Sequence, residues 1–159
     1  SLSQAATTFV GQNVGAKQYD RVNKGTVHSL ALIVAITAFI STILFVFASP
    51  AIWIFSKDPE VIEYGTMFVR TNVYFLIFNS INHTLAGALR GRGDSTGPMF
   101  IMLFSFVALR QVYLYIMANF ISNTARLIGF GYPVGWTICC ILETAYFYFR
   151  FVKRKDDLV

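Results

Sequence analysis

The stretch TVHSLALIVAITAFISTILFVFASPAIWIF, residues 26–55, decides the class of fold. Its only ionisable side chain is His28, which lies close to one end. A helix of this length, at about 1.5 Å of rise per residue, is roughly 45 Å long, whereas the hydrocarbon core of a bilayer is about 30 Å thick. The stretch therefore predicts a transmembrane helix. Pro50 lies near its far end, where a membrane helix tolerates a kink or local unwinding.

The composition of the whole chain agrees with this prediction. Hydrophobic residues make up 55% of the 159 residues and charged residues only 13%, and the mean hydropathy is +0.57. A soluble domain carries roughly 25% charged residues, so this chain could not cover a water-facing surface. We predict an all-α, polytopic membrane helix bundle. It has about four full transmembrane helices, at 26–55, 59–89, 98–122 and 132–149, plus the end of a fifth over 1–16.

The segments between these helices predict how the bundle lies in the membrane. Asp58 and Pro59 form a turn in which Asp58 caps the next helix and Pro59 is its first residue. Loops are predicted over 17–24, 90–97 and 123–131. Lys and Arg residues number three in 17–24, two in 90–93 and four in 150–155, against Lys57 and Arg126 on the other side. Nine against two places the 17–24 loop, the 90–97 loop and the C-terminus in the cytoplasm.

Several classes of function are not expected. The net charge of +5 comes from basic residues between apolar runs, and no basic helix or aromatic-basic platform accompanies them, so nucleic acid is not a predicted partner. The predicted partner is the lipid bilayer. The sequence holds no metal-ligand cluster and no set of nucleophile, base and acid, so we do not expect an enzyme.

Three short motifs follow one another along the chain. GQNVGAK covers residues 11–17, WIFSKDPEV covers 53–61 and GALRGRGDSTGPM covers 87–99. This ordered set resembles the multidrug and toxic compound extrusion (MATE) family, in which each half carries similar motifs in the same order. One motif alone would be weak, but three in order at the expected spacing make the resemblance specific over essentially the whole chain.

The resemblance implies a twelve-helix transporter built from two six-helix lobes. It assigns residues 1–155 to the C-terminal lobe, from the end of the eighth helix through the twelfth, with a basic cytoplasmic tail over 150–159. The N-terminal lobe of the same transporter would be a partner absent from this chain. The implied function is antiport by alternating access, in which entry of Na⁺ or H⁺ drives export of organic, often cationic, drugs or metabolites across the plasma membrane. No cofactor is implied beyond the coupling ion.

The chain departs from the family pattern at one position. Some subfamilies bind the coupling cation with an acidic residue about three turns before the Arg-Gly loop, where this chain has the uncharged Asn79. Cation binding at this position is therefore not expected, and the missing lobe is the alternative place for the coupling acid. Two alternatives stay open. A related lipid-linked oligosaccharide flippase would need a strongly cationic cavity, which Arg70 and Arg110 alone do not make, and a non-transporting membrane scaffold fragment would need no charge inside the membrane.

Arg110 and Glu143 are two of the four main candidates for the cavity or for coupling. A charged side chain at membrane depth costs a few kcal/mol unless it is paired or hydrated. Arg110 would line a cavity, contact another helix, or extend to the interface. Glu143 would bind a cationic substrate, take part in proton coupling, or pair with Arg110.

Asn79 and His83 are the other two main candidates. With Asn72 they are spaced seven and four residues apart, which puts them close to one helical face. Such a face belongs either in a polar cavity or in hydrogen bonds between helices. Asn72, Asn82 and Arg70 are secondary candidates.

Overall fold

The computed structural model describes residues 2–121 and 125–153. All regular structure in these ranges is helical, which confirms the predicted all-α class. The α-helices are α1 (Leu2–Gly15), α2 (Tyr19–Val46), α3 (Ala48–Phe55), α4 (Pro59–Asn72), α5 (Leu76–Gly91), α6 (Thr96–Leu103), α7 (Arg110–Ile116), α8 (Ala125–Gly129) and α9 (Gly131–Phe147). A 3₁₀ turn over Val73–Phe75 joins α4 to α5, and π-helical turns cover Phe104–Leu109, Met117–Ile121 and Tyr148–Lys153.

Within the described ranges, three helical segments are long and apolar enough to cross a membrane. They are Tyr19–Val46, Thr96–Ile121 and Leu127–Phe151, with 28, 26 and 25 residues. Each exceeds the roughly 20 residues that a hydrocarbon core requires. The predicted fourth full span, 59–89, is not among them. It is helical, but the 3₁₀ turn divides it into α4 and α5, of 14 and 16 residues, and it carries more polar side chains than the other spans.

The central position of α5 explains why this helix can be polar. It packs against α1, α2 and α9, and its residues 84–89 are all buried. Polar side chains on a helix that other helices surround face protein rather than lipid, so the helix needs less apolar sequence. The described bundle therefore combines three apolar segments with a more polar central helix.

Two glycines bring α1 and α5 into backbone contact. A Cβ atom at Gly87 would lie 2.6 Å from the carbonyl oxygen of Ser3, and one at Gly91 would lie 2.6 Å from that of Thr7. Any larger residue would have to push the two helices apart, because backbone atoms cannot turn aside as a flexible side chain can. The 87–99 motif thus carries part of the close packing between these two helices.

The predicted loop over 17–24 is wrong, because α2 begins at Tyr19 instead of near residue 26. A short turn over 16–18 separates α1 from α2, and Lys17 takes a left-handed conformation there, with φ of 57°. Val22 is completely buried, so the hydrophilic start of α2 is an amphipathic helix with one face on the bundle. Most residues of these first turns of α2 are polar, so the sequence predicted a loop. The buried residue among them is Val22.

The structure confirms the predicted cap at Asp58 and breaks the first long helix close to Pro50. The first long helix is interrupted at Phe47, between α2 and α3. Proline has no N–H for the carbonyl four residues earlier, and its ring clashes with that carbonyl, which here belongs to Val46. The side chain of Asp58 accepts a hydrogen bond of 2.9 Å from the N–H of Glu60, and Pro59 begins α4.

The outer surface of the bundle is apolar. Phe39, Phe55 and Phe120 are 69%, 88% and 74% exposed, and many other large hydrophobic side chains on α2, α3, α6 and α7 share that surface. Soluble monomers rarely expose contiguous apolar surface on this scale, so this surface is suited to lipid. Together with the three apolar segments, it makes the chain a multi-pass membrane protein.

The basic stretches meet at one end of the bundle, as the charge count predicts. Arg92 donates a hydrogen bond to the side chain of Asn23, which joins the 90–97 loop to the first turns of α2. Asp94 forms an ion pair with Arg150 across 3.6 Å, which joins the same loop to the segment after α9. The long helices therefore alternate in direction, as full crossings require.

Candidate functional site

A recess opens between α1, α2 and α5 and has a volume of about 720 Å³. Eight of its ten lining residues have polar side chains; the lining comprises Leu2, Ser3, Gln4, Thr7, Thr8, Ile33, Ser80, His83, Thr84 and Arg90. Nearly all of these residues lie on α1 and on the central helix α5, with Ile33 from α2. A polar recess in a bundle with an apolar outer surface is the natural candidate for a substrate cavity.

His83 and Arg90 carry the ionisable groups of this recess. Both side chains are exposed there, two helical turns apart on α5. Ser3 on α1 lies between them: its hydroxyl donates to the carbonyl oxygen of His83 at 2.7 Å and lies 3.4 Å from the guanidinium of Arg90. The prediction singled out His83 but missed Arg90, which the motif at 87–99 contains.

A second polar region lies in the interface between α5 and α9, where Asn82 and Glu143 are both completely buried. The amide of Asn82 donates to the carbonyl oxygen of Trp136 at 3.1 Å, but its own oxygen has no hydrogen-bond partner among the described residues. The same is true of both carboxyl oxygens of Glu143. Burial disfavours a negative charge on Glu143, whereas the positive charge of Arg90 favours one. Arg90 also lines the recess.

Arg110 and Glu143 do not form the pair that the sequence allowed as one alternative. Among the described side chains, the single ion pair joins Asp94 to Arg150. The guanidinium of Arg110 lies instead over the ring of Tyr132, 3.8 Å from its centre, and is half-buried. A cation over an aromatic face is stabilised without a carboxylate, so Arg110 has a partner inside the bundle that the sequence alone did not suggest.

The predicted polar stripe on the α4–α5 helix does not line one cavity. Asn72 is buried and donates to the carbonyl oxygen of Phe68, and it borders a separate apolar cavity of about 260 Å³. Asn79 is half-buried, and of the stripe residues only His83 lines the recess. Arg70 is exposed and packs on Phe45, whose carbonyl oxygen accepts its hydrogen bond of 3.3 Å. The 3₁₀ turn at 73–75 interrupts the helical spacing on which the stripe was predicted.

Asp94 is the centre of a polar cluster at the basic end of the bundle. The hydroxyl of Tyr146 donates to its carboxylate at 2.6 Å and the N–H of Gly97 at 3.0 Å, and Arg150 lies 3.6 Å away. Partial burial alone would raise the pKa of Asp94, but these hydrogen bonds and the charge of Arg150 outweigh it and lower the pKa below its usual value. We call Asp94, Gly97, Tyr146 and Arg150 the loop clasp.

The sequence matches the family described as MatE over residues 1–116. This chain belongs to the MATE family. The match includes all three motifs and ends within α7, so it covers most of the chain. The resemblance that the motifs predicted is thereby confirmed.

Among curated proteins, this MATE chain is 33% identical over 122 residues to the probable multidrug resistance protein NorM of Thermotoga maritima, covering 75% of the chain and 26% of that protein. It is 28% identical over 157 residues to the protein of the same name from Bacillus cereus, covering 98% of the chain and 34% of that protein. The chain thus spans about a quarter to a third of the length of these relatives.

A solved structure shares the fold. It is described as the inward-facing conformation of a multidrug resistance MATE family transporter of the MOP superfamily, and it matches with a TM-score of 0.86 at 19% identity. The similarity covers 96% of this chain and 34% of that one. The bundle is therefore an arrangement that MATE transporters contain, and the predicted membership of a larger helical assembly is consistent with it.

Proposed function

We propose that this chain forms part of a MATE transporter that exports organic compounds across the plasma membrane by alternating access, with Na⁺ or H⁺ as the coupling ion. The chain contributes most of the C-terminal lobe, and the recess is its share of the substrate cavity. The N-terminal lobe supplies the opposing wall. The basic end of the bundle, which contains the loop clasp, faces the cytoplasm because Lys and Arg concentrate there.

The observation that carries this proposal is the recess itself. Serine, threonine, glutamine and histidine side chains gather on α1 and α5, within a bundle whose other surfaces suit lipid. Polar groups at membrane depth mark pathways for substrates or ions. The names of the relatives, which describe multidrug resistance, support organic compounds as the substrate class.

The arrangement favours drug export over the flippase alternative. A flippase cavity for a pyrophosphate-linked lipid should be strongly cationic. Among the described residues, Arg90 is the one Arg or Lys that lines the recess, while Arg70 and Arg110 lie elsewhere and pack on aromatic rings. A single guanidinium leaves the recess mainly uncharged, which suits compounds of varied structure.

A chimera tests the proposal. This chain would replace the aligned third of the Bacillus cereus protein, and transport of the cationic dye ethidium would be measured in everted membrane vesicles. We expect energised vesicles with the chimera to transport the dye and vesicles with the 159-residue chain alone not to, because the cavity needs both lobes. Sustained ion-driven efflux by the chain alone would contradict the proposal.

Substitution of one histidine separates the recess from the rest of the lobe. His83→Ala in the chimera should lower the efflux rate several-fold, because His83 lines the recess. His28→Ala is the matched control, since His28 is also exposed but lies on α2 outside the recess. If both variants transport at the parent rate, the recess is not part of the substrate pathway.

A further inference from the structure

Glu143 is the only buried carboxyl group in the described part of the chain. Its side chain is 0% exposed, and no described residue forms a hydrogen bond with either of its oxygens. A negatively charged carboxylate that is buried without hydrogen-bond donors is one of the least stable arrangements inside a protein, and such a group takes up a proton instead. The geometry around Glu143 therefore suits the neutral acid.

The surroundings of Glu143 contain few groups that could hold a negative charge there. The titratable neighbours that interact with it are Arg90 on α5 and the thiols of Cys139 and Cys140 on its own helix. Other charged groups near the ends of α9 are engaged elsewhere. Arg110 packs on Tyr132, and Arg150 pairs with Asp94. From the π-helical turn at 104–109, which packs on α9, the buried group is the hydroxyl of Ser105.

These neighbours suit a proton better than a sodium ion. A hard metal cation needs several oxygen ligands, and helices in transporters supply them where their backbone is unwound. Glu143 lies inside the regular helix α9, where the backbone carbonyls accept helical hydrogen bonds. Thiols are poor ligands for a hard cation, and the positive charge of Arg90 repels one. A proton needs only the carboxyl group itself.

We propose that Glu143 is a proton-binding site on the last helix of this lobe, through which the transporter couples export to H⁺. The proposal rests on the proposed function and narrows its coupling ion. In the conformation described here Glu143 holds a proton. In the conformation that exposes it to water, the O–H bond breaks, the proton passes to water, and the carboxylate remains until it takes a proton from water on the other side. No electron transfer is involved.

Arg90 connects this site to the substrate recess. Its guanidinium lines the recess beside Ser3, and its charge also acts on Glu143. When Glu143 loses its proton, the negative charge attracts Arg90 more strongly and draws the guanidinium away from the recess. Proton release therefore changes the charge that a substrate meets, which is the differential interaction that coupling requires.

Infrared spectroscopy on the 159-residue chain in micelles of dodecylmaltoside, a detergent without carbonyl groups, tests the protonation directly. We expect a carbonyl band of a protonated acid near pH 7 that arises from Glu143. The band should vanish in Glu143→Gln and persist in Glu63→Gln, an exposed matched control. Should Glu143→Gln fail to fold, loss of the band from the wild-type chain on alkaline titration gives the same information. Absence of the band from the wild-type chain near pH 7 would overturn the proposal.

Transport by the chimera tests the coupling. Glu143→Gln should abolish dye accumulation driven by a proton gradient and preserve dye exchange at equilibrium, whereas Glu63→Gln should leave both unchanged. Accumulation at the parent rate in Glu143→Gln would show that the acid is structural, and loss of equilibrium exchange would assign it to substrate handling; either result contradicts the proposal. If the parent chimera transports nothing, the proposed function fails, while the infrared result still decides whether Glu143 holds a proton.

Discussion

The two faces of α5 that meet α1 and α9 are built in opposite ways. Toward α1, Gly87 and Gly91 let the backbones touch, and the hydroxyl of Ser3 donates to a carbonyl oxygen of α5. Toward α9, Asn82 and Glu143 bury oxygen atoms for which the described residues provide no hydrogen-bond partner. The face toward α1 is close-packed, and its polar groups form hydrogen bonds. The face toward α9 encloses polar atoms that lack hydrogen bonds to the described residues.

This difference separates structure from function within a single helix. A buried polar atom without a partner costs about 1–3 kcal/mol, so folding alone gives no reason to retain it. Such atoms persist where a ligand, a water molecule or a proton completes them in some step of the working cycle. We therefore expect the α1 face of α5 to stabilise the packing of the bundle. The α9 face is where we expect a proton or ligand to bind.

The largest effect should follow from a substitution on the close-packed face. Gly91→Ala places a methyl group 2.6 Å from the carbonyl oxygen of Thr7, so α1 must move. We expect a loss of about 1–3 kcal/mol in the free energy of unfolding, which overpacking typically costs. The measurement is unfolding in mixed detergent micelles with increasing SDS, followed by circular dichroism.

Gly15→Ala is the matched control for this substitution. Gly15 also ends its helix, at the end of α1, and nothing lies within 4 Å of a Cβ atom there. The control should be neutral or slightly stabilising, because alanine favours helix over glycine. Equal destabilisation by both substitutions would mean that the effect comes from helix ends in general, and the close-packed description of the α1 face would be wrong.

A smaller loss of stability is expected at the loop clasp. There, polar groups at and just after the end of α9 form hydrogen bonds and an ion pair with the 90–97 loop. Asp94→Asn keeps an acceptor for Gly97 but loses the negative charge that Tyr146 and Arg150 contact. Hydrogen bonds to charged groups contribute about 1.5–3 kcal/mol when buried, and Arg150 is half exposed, so we expect a loss of about 1 kcal/mol.

The pH dependence of the clasp gives an independent measurement. The pKa of Asp94 is lower in the folded state than in the unfolded state, so its contribution is complete above the unfolded value of about 3.9. That contribution is lost as the pH falls through the folded pKa. The thermal unfolding midpoint of the wild-type chain should therefore fall more steeply below about pH 4 than that of Asp94→Asn. Parallel curves would show that the clasp does not depend on the charge.

The sequence predicts those features of the fold that depend on interactions between residues close together in the chain. The cap at Asp58 and the break before Pro50 follow from a residue and its near neighbours, and both are found. The stripe of Asn72, Asn79 and His83 assumed one uninterrupted helix, and the 3₁₀ turn at 73–75 breaks that assumption. Such a turn depends on what packs around it, which spacing along one chain does not reveal.

The candidate site shows the same limit. The cost of charge in a membrane correctly made Glu143 a residue to examine, and it is buried within the bundle. Arg110, which the sequence allowed as its partner, instead contacts Tyr132, which lies at the start of α9, about three turns before Glu143. Depth in the membrane can be counted from the sequence, but the direction in which each helix faces its neighbours cannot. Arg90 was missed for that reason, because only the bundle brings it near both the recess and Glu143.

The smallest effect on stability should come from a substitution on the face of α5 that meets α9. Asn82→Leu removes one hydrogen bond to Trp136, worth about 0.6 kcal/mol in a membrane protein, and also removes the unpartnered oxygen. These changes oppose each other, so stability should change by less than about 0.5 kcal/mol. Ser3→Ala on the α1 face removes a bond with no such compensation and should cost more than Asn82→Leu in the same SDS titration. If Asn82→Leu lowered stability more than Ser3→Ala, the polar atoms between α5 and α9 would contribute to folding. Their missing hydrogen bonds would then give no reason to assign them a proton or a ligand.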